Sequence, residues 1–148
     1  CIYEEGLTMK YIIGVDQESS LVRKLCDYLE NRSISTEIMK ENNWASVALK
    51  VAYKVTAQEY HEAVLMCSSG TGMSIAANKV KGCRAALCTS PLMSQYAKFY
   101  NHANILIIPI EEMNEEKMIK IVESWLETPY GNGEVGIAID VLRMFEGK

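Results

Sequence analysis

Short apolar runs alternate along the chain with stretches in which apolar residues recur every three or four positions. Lys10-Tyr11-Ile12-Ile13-Gly14-Val15 predicts a strand, stopped by the polar stretch Asp16 to Ser20. Leu21, Val22, Leu25, Cys26 and Leu29 then share one helical face, predicting a helix over about Ser20 to Asn31. Thr36 to Met39 reads as a short second strand. Val47, Ala48, Val51, Ala52 and Val55 predict a helix over Ala45 to Gln58. Ala63 to Cys67 is a third strand, followed by a short helix over Met73 to Val80. Cys83 to Cys88 is a fourth strand, and Ser90-Pro91 is a helix start leading to about Tyr100. Ala103 to Pro109 is apolar without alternation, as in a parallel strand buried on both faces. Helices over Asn114 to Leu126 and from the Pro129–Gly133 turn to Phe145 complete the chain.

Strands that alternate with helices call for crossover connections, and crossovers make parallel sheets. The expected fold is α/β: a single three-layer, doubly wound, Rossmann-like domain around a five-stranded parallel sheet, in an order such as 2-1-3-4-5. Ligands of such sheets bind beyond the carboxyl ends of the strands, where the strand order reverses. Asp16 and Cys67 end the strands that flank that point.

Composition narrows the function classes. The chain has 148 residues, 49% of them hydrophobic and 23% charged, with a net charge of −4. That charge offers no general footprint for nucleic acid or an anionic membrane, and no apolar run approaches the ~20 residues of a membrane span. Five cysteines without metal-ligand spacing read as reduced thiols of a cytoplasmic protein. Residues 1–8 fit the core pattern poorly and read as an extension ahead of Met9, with the domain over 9–148.

The candidate chemistry lies in Cys67-Ser68-Ser69-Gly70-Thr71-Gly72-Met73-Ser74. A strand ending in a thiol, a small-residue loop and a helix start can turn several backbone N–H groups toward one point, where a developing oxyanion would be stabilised. The thiol beside it is a candidate proton-transfer group or nucleophile. The loop lacks the P-loop lysine and the spaced glycines of a dinucleotide site.

Cys67 through Lys79, with Val80 to Cys88 after it, resembles ribose-5-phosphate isomerase B and its relatives, the galactose-6-phosphate isomerase subunits. The family's loop reads Cys-Gly-Thr-Gly-Ile-Gly ahead of the same Met-Ser-Ile-Ala-Ala-Asn-Lys, and the likeness extends from about Met9 to the C-terminal helix. The resemblance implies an aldose–ketose isomerase that moves a proton between C1 and C2 of a sugar phosphate through an enediolate, without metal or organic cofactor. It implies Cys67 as the proton shuttle and Ser69 as a hydroxyl near the oxyanion. Asp16, Gln17, Trp44, Gly70, Thr71, Gly72, Ser74, Tyr100 and Asn101 would contact substrate. It also implies a homodimer or tetramer, or assembly with a paralogous subunit, with the C-terminal helix at the interface.

The departures fall in one half of that site. Asp-His-Ala-Gly is here Asp16-Gln17-Glu18-Ser19, and Asp-Tyr-Pro-Asp is Asn43-Trp44-Ala45-Ser46. The family's ring-opening His becomes Tyr100, followed by Asn101. Its two phosphate-holding arginines fall at Glu134 and near Ile137 or Ala138. Each charge-assisted contact is worth roughly 1.5–3 kcal/mol, so losing two weakens phosphate binding more than ~100-fold. The alternatives are therefore a non-catalytic paralogue or partner subunit of the same fold, and an isomerase of a sugar that is unphosphorylated or differently charged. His102 reads as a surface or interface residue or a displaced ring-opener, Arg84 as half of a structural ion pair, and Cys26, Cys83 and Cys88 as core.

Overall fold

The computed structural model describes residues 8–147. The expectation for residues 1–8 falls, apart from Thr8, outside the described residues. Five parallel strands alternate with helices: β1 Met9–Val15, α1 Ser20–Asn31, β2 Ile34–Lys40, α2 Trp44–Thr56, β3 Glu62–Cys67 and α3 Thr71–Ala77. They continue as β4 Ala85–Leu87, α4 Pro91–Asn101, β5 Ile105–Pro109, a 3-10 turn over Ile110–Glu112, α5 Glu115–Glu127 and α6 Val135–Phe145.

The strand order is β2-β1-β3-β5-β4, so the expected 2-1-3-4-5 is corrected at its end. The reason is burial. All five residues of β5 are buried, which requires a neighbour on each side and a helix layer on each face. The three residues of β4 are only partly buried, as suits an edge. β2 is longer than expected, and as the opposite edge it buries fully only Ile34.

The strands alternate between two cores with period two. Tyr11, Ile13, Val15, Val64, Met66, Leu106 and Ile108 face α1 and α5. Ile12, Ala63, Leu65, Cys67, Ile105 and Ile107 face α2 and α3. Gly14 permits the close approach of α2 to β1: a Cβ there would come within 2.6 Å of Leu65 and 2.9 Å of Val47 and Val51. Side-chain caps start four of the helices, at Ser19, Asn43, Ser90 and Asn114.

Glu62, at the start of β3, carries a buried polar knot. Lys98 Nζ and Trp125 Nε1 donate to its Oε1 at 3.1 and 3.0 Å, and the phenols of Tyr11 and Tyr130 donate to Oε1 and Oε2. Lys98 also donates to the Trp125 carbonyl at 3.1 Å. Burial pulls the Lys98 pKa down while Glu62 opposes the shift, and burial followed by the Glu62 charge pushes Tyr11 up. The knot fixes the turn before α6 against the sheet. Only Ile139 of α6 is fully buried, while Ile137, Val141, Leu142, Met144 and Phe145 stand in solvent.

Candidate active site

The register places two strand tips side by side. Val15 pairs with Met66, and Cys67 pairs with Pro109, so Asp16 lies level with Cys67 at the carboxyl end of the sheet. The crevice between β1 and β3 is where the strand order reverses.

Cys67 is buried on the α2/α3 side of the sheet. Burial raises its thiol pKa above the ordinary value, and the Asp16 charge adds to the rise. Backbone hydrogen bonding from Gly70 and Met73 favours the thiolate and opposes both effects. The loop thus partly offsets the cost of burying a thiolate, although the thiol remains the resting form.

Two glycines shape the loop. Gly70 adopts φ +77°, and a Cβ there would meet Leu87 at 2.6 Å and Ile107 at 3.1 Å. Gly72 lies beneath the Trp44 indole, with room for no side chain between them: a Cβ would sit 2.9 Å from the ring. Trp44 opens α2 and remains exposed, so its ring forms an outer wall of the crevice.

Asp16 is half-buried, its Oδ1 is buried with no hydrogen-bond partner, and burial raises its pKa. An unpartnered acceptor in a crevice is costly unless a ligand hydroxyl meets it. Gln17 Nε2 donates to Ser68 Oγ at 3.0 Å and ties the β1 and β3 loops together. Glu111 N–H donates to the Ser68 carbonyl at 3.1 Å and ties in the loop after β5. Ser68 was missed by sequence reasoning, and its only signal was a hydroxyl adjacent to the thiol.

The other expected residues divide. Ser69 Oγ and Thr71 Oγ1 lie 2.9 Å apart, and Thr71 N–H donates to Ser69 Oγ at 3.4 Å, so both hydroxyls brace the loop. Ser74 N–H donates to the Gly70 carbonyl at 3.1 Å, which commits that N–H to the helix rather than to an oxyanion. Asp16, Gln17, Trp44, Cys67, Ser69, Gly70, Thr71, Gly72 and Ser74 therefore belong to the strand tips, loops and helix starts at one carboxyl edge of the sheet. Tyr100 and Asn101 do not join it within this chain. They end α4, which starts at the carboxyl edge beside β4 and runs back to the opposite edge, where β5 begins. Tyr100 packs edge-on to Tyr96 and Phe99 and is half exposed. Glu134 and Ile137 are also exposed at the start of α6.

Among the described residues Arg84 has no ion-pair partner, which corrects the expectation. Its guanidinium donates through Nε to the His102 carbonyl at 2.7 Å and through Nη1 to the Gly82 carbonyl at 3.3 Å. His102 caps α4 in the left-handed region, φ +49°, with Nε2 2.8 Å from the Gly131 carbonyl. Among the described residues no group of three His, Cys, Asp or Glu side chains is placed to hold a metal ion, and no helix is long and apolar enough to cross a membrane.

A family model described as Ribose/Galactose Isomerase matches residues 12–141. Ribose-5-phosphate isomerase B of Escherichia coli is 28% identical over 145 residues, covering 93% of this chain and 96% of that protein. D-erythrulose-4-phosphate isomerase of Pectobacterium atrosepticum is 27% identical over 141 residues, covering 90% and 93%. The crystal structure of a ribose 5-phosphate isomerase from Thermotoga maritima superposes with a TM-score of 0.85 at 32% identity, covering 92% of this chain and 98% of that one.

Proposed function

The chain belongs to the ribose/galactose isomerase family, and from that premise we propose that it interconverts an aldose phosphate and a ketose phosphate by moving a proton between neighbouring carbons. The observation that carries the reading is the placement of Cys67 at the tip of β3, level with Asp16, whose Oδ1 is buried without a hydrogen-bond partner. The Cys67 thiolate takes the proton from the carbon next to the carbonyl, and the electrons left behind form an enediolate. The thiol so formed returns the proton to the other carbon, while the hydroxyl proton passes from one enediolate oxygen to the other, so that the former hydroxyl becomes the carbonyl and the former carbonyl a hydroxyl. Asp16 accepts a substrate hydroxyl and fixes which carbon faces the sulfur.

The substrate class is a short sugar phosphate of the ribose 5-phosphate and ribulose 5-phosphate type. The relatives named for a five-carbon and a four-carbon substrate support that size range. The proposed working form is a homodimer or tetramer in the cytoplasm, with no nucleic acid or membrane partner. In it Tyr100 and Asn101 of one copy complete the crevice of another, and the exposed apolar face of α6 supplies contact area between copies.

A second reading, a non-catalytic paralogue or partner subunit, draws support from the exposed Glu134 and Ile137 where a phosphate would need cations. An isomerase of an unphosphorylated or differently charged sugar rests on the same positions. Purified oligomer assayed against four- to six-carbon aldoses, with and without phosphate, decides among the three. Turnover on a phosphorylated pentose or tetrose is the expected result. Turnover on free sugars alone moves the assignment to the shifted substrate, and no turnover on any sugar leaves the non-catalytic reading.

A further inference from the structure

We propose that a cavity at the opposite, N-terminal edge of the sheet binds a small ligand through an oxyanion group, a phosphate or a carboxylate. The cavity has a volume of about 510 Å³ and lies under the inward face of the last turn of α6. The loops that lead into β3, β4 and β5 form its other walls. It is not the Cys67 crevice: the β3–β5 register puts Ala63 with Ile105 at this edge and Cys67 with Pro109 at the other. Four residues at ~3.3 Å each separate the two levels by about 13 Å before any loop is counted.

In a chain of net charge −4, this cavity collects both histidines, His61 and His102, and two arginines, Arg84 and Arg143. Among the described residues no carboxylate lies within 4 Å of the Arg84 guanidinium, which donates to the two carbonyls of His102 and Gly82. Among the described residues the ionic partner of Arg143 is Asp140 at 3.7 Å, and both of those side chains are more than half exposed. Such a pair holds its cation weakly. Among the described residues one carboxylate, Glu146, lines the cavity, and it accepts the Gly82 N–H at 2.7 Å. The described walls therefore carry two guanidinium charges against one carboxylate that already serves the backbone.

The cavity is also preorganised. Asn104 Oδ1 accepts from Arg84 N–H at 2.8 Å, and its Nδ2 donates to the Gly82 carbonyl at 3.1 Å, which locks the loop before β4 to the loop before β5. Arg84 is thereby held by its backbone and by two donated bonds. Burial and the Arg143 charge both work against the protonated Arg84, so the two cations sense one another. An oxyanion between them would relieve that opposition and accept the guanidinium N–H groups that point away from the carbonyls. Tyr60 and Tyr130 supply aromatic wall for the rest of a small ligand.

The test titrates the full-length protein with inorganic phosphate and, separately, with malonate, against chloride at equal ionic strength. Binding is read by calorimetry and by backbone amide shifts. The expected result is saturable binding of at least one oxyanion that moves the amides of Gly82, Arg84 and His102. Arg143→Gln, an exposed position that can change without unfolding the chain, weakens that binding tenfold or more with an unchanged melting temperature, and Arg84→Gln weakens it further. Cys67→Ala leaves it intact. Binding no tighter than chloride overturns the proposal, as does binding lost in Cys67→Ala and kept in Arg143→Gln. Nothing in these readouts requires turnover, so an inactive chain leaves this test standing while the isomerase reading falls.

Discussion

Asp16 and Cys67 stand level at the tips of β1 and β3, and the Asp16 carboxylate opposes ionisation of the Cys67 thiol. In the proposed mechanism the reacting form is the thiolate, while burial and Asp16 both favour the thiol. The rate of isomerisation therefore climbs with pH from about 7 into the alkaline range, because an ordinary thiol ionises near pH 8.5 and this one later. Asp16→Asn moves the ionisation to lower pH, read as the pH dependence of iodoacetamide attack on Cys67. It also lowers kcat/KM by at least ~10-fold through loss of the substrate hydroxyl contact. A rate flat from pH 7 to 9 removes Cys67 as the base.

Replacing Cys67 by Ala tests the same assignment by deletion. General base catalysis contributes roughly 10²–10⁴-fold, so kcat falls by about that factor while KM changes little. The side chain is small, so the fold survives. Circular dichroism and melting confirm that the loss is chemical, and activity within twofold of the parent contradicts the proton-shuttle role.

Gly70→Ala and Gly72→Ala separate backbone conformation from space. Gly70 sits at φ +77°, and its Cβ would also strike Leu87. A left-handed non-glycine residue costs roughly 1–2 kcal/mol before any clash is counted. Gly70→Ala is therefore the more destabilising in urea unfolding. Gly72→Ala displaces the exposed Trp44 ring instead, so its stability loss is smaller, and Trp44 fluorescence shifts toward that of a more solvated indole.

The Glu62 knot predicts asymmetric losses. Glu62→Gln leaves the Lys98 cation buried without its counter-charge, a change that costs about 3–5 kcal/mol. Lys98→Met leaves the carboxylate with the Tyr11, Trp125 and Tyr130 donors and costs less, about 1–3 kcal/mol. The double variant is more stable than Glu62→Gln alone. Denaturant midpoints of the four proteins form the cycle that measures this coupling.

The exposed face of α6 is expected to hold copies together. Ile137→Glu combined with Phe145→Glu, two positions 64% and 90% exposed in the single chain, leaves each protomer folded. It shifts the species seen by light scattering toward monomer. Isomerase activity falls in step with the dimer fraction. A parent protein that is monomeric at all concentrations refutes the interface.

Most of the fold was legible because its signals are local. Helix faces such as Leu21, Val22, Leu25, Cys26 and Leu29 recur at helical spacing and are buried as that spacing requires. The order of β4 and β5 was not read correctly, although the continuous apolar run of β5 already argued against an edge position. The tip residues Asp16 and Cys67 could be placed together because strand ends converge by topology. Tyr100 and Asn101 could not, since their nearness to the thiol depends on which edge α4 returns to. The Arg84 environment was also illegible: guanidinium-to-carbonyl bonding joins loops 18 residues apart and leaves no pattern in the chain.

Cys67 is the last residue of β3, which has β1 on one side and β5 on the other and six buried residues along its length. A sulfur mounted there cannot drift without deforming the stiffest part of the protein. The groups around it, by contrast, ride on separate outer pieces: Gln17 on one loop and Trp44 at a helix start. Those pieces can be exchanged singly, so substrate preference can diverge through many small replacements while the sulfur proposed to react keeps its coordinates.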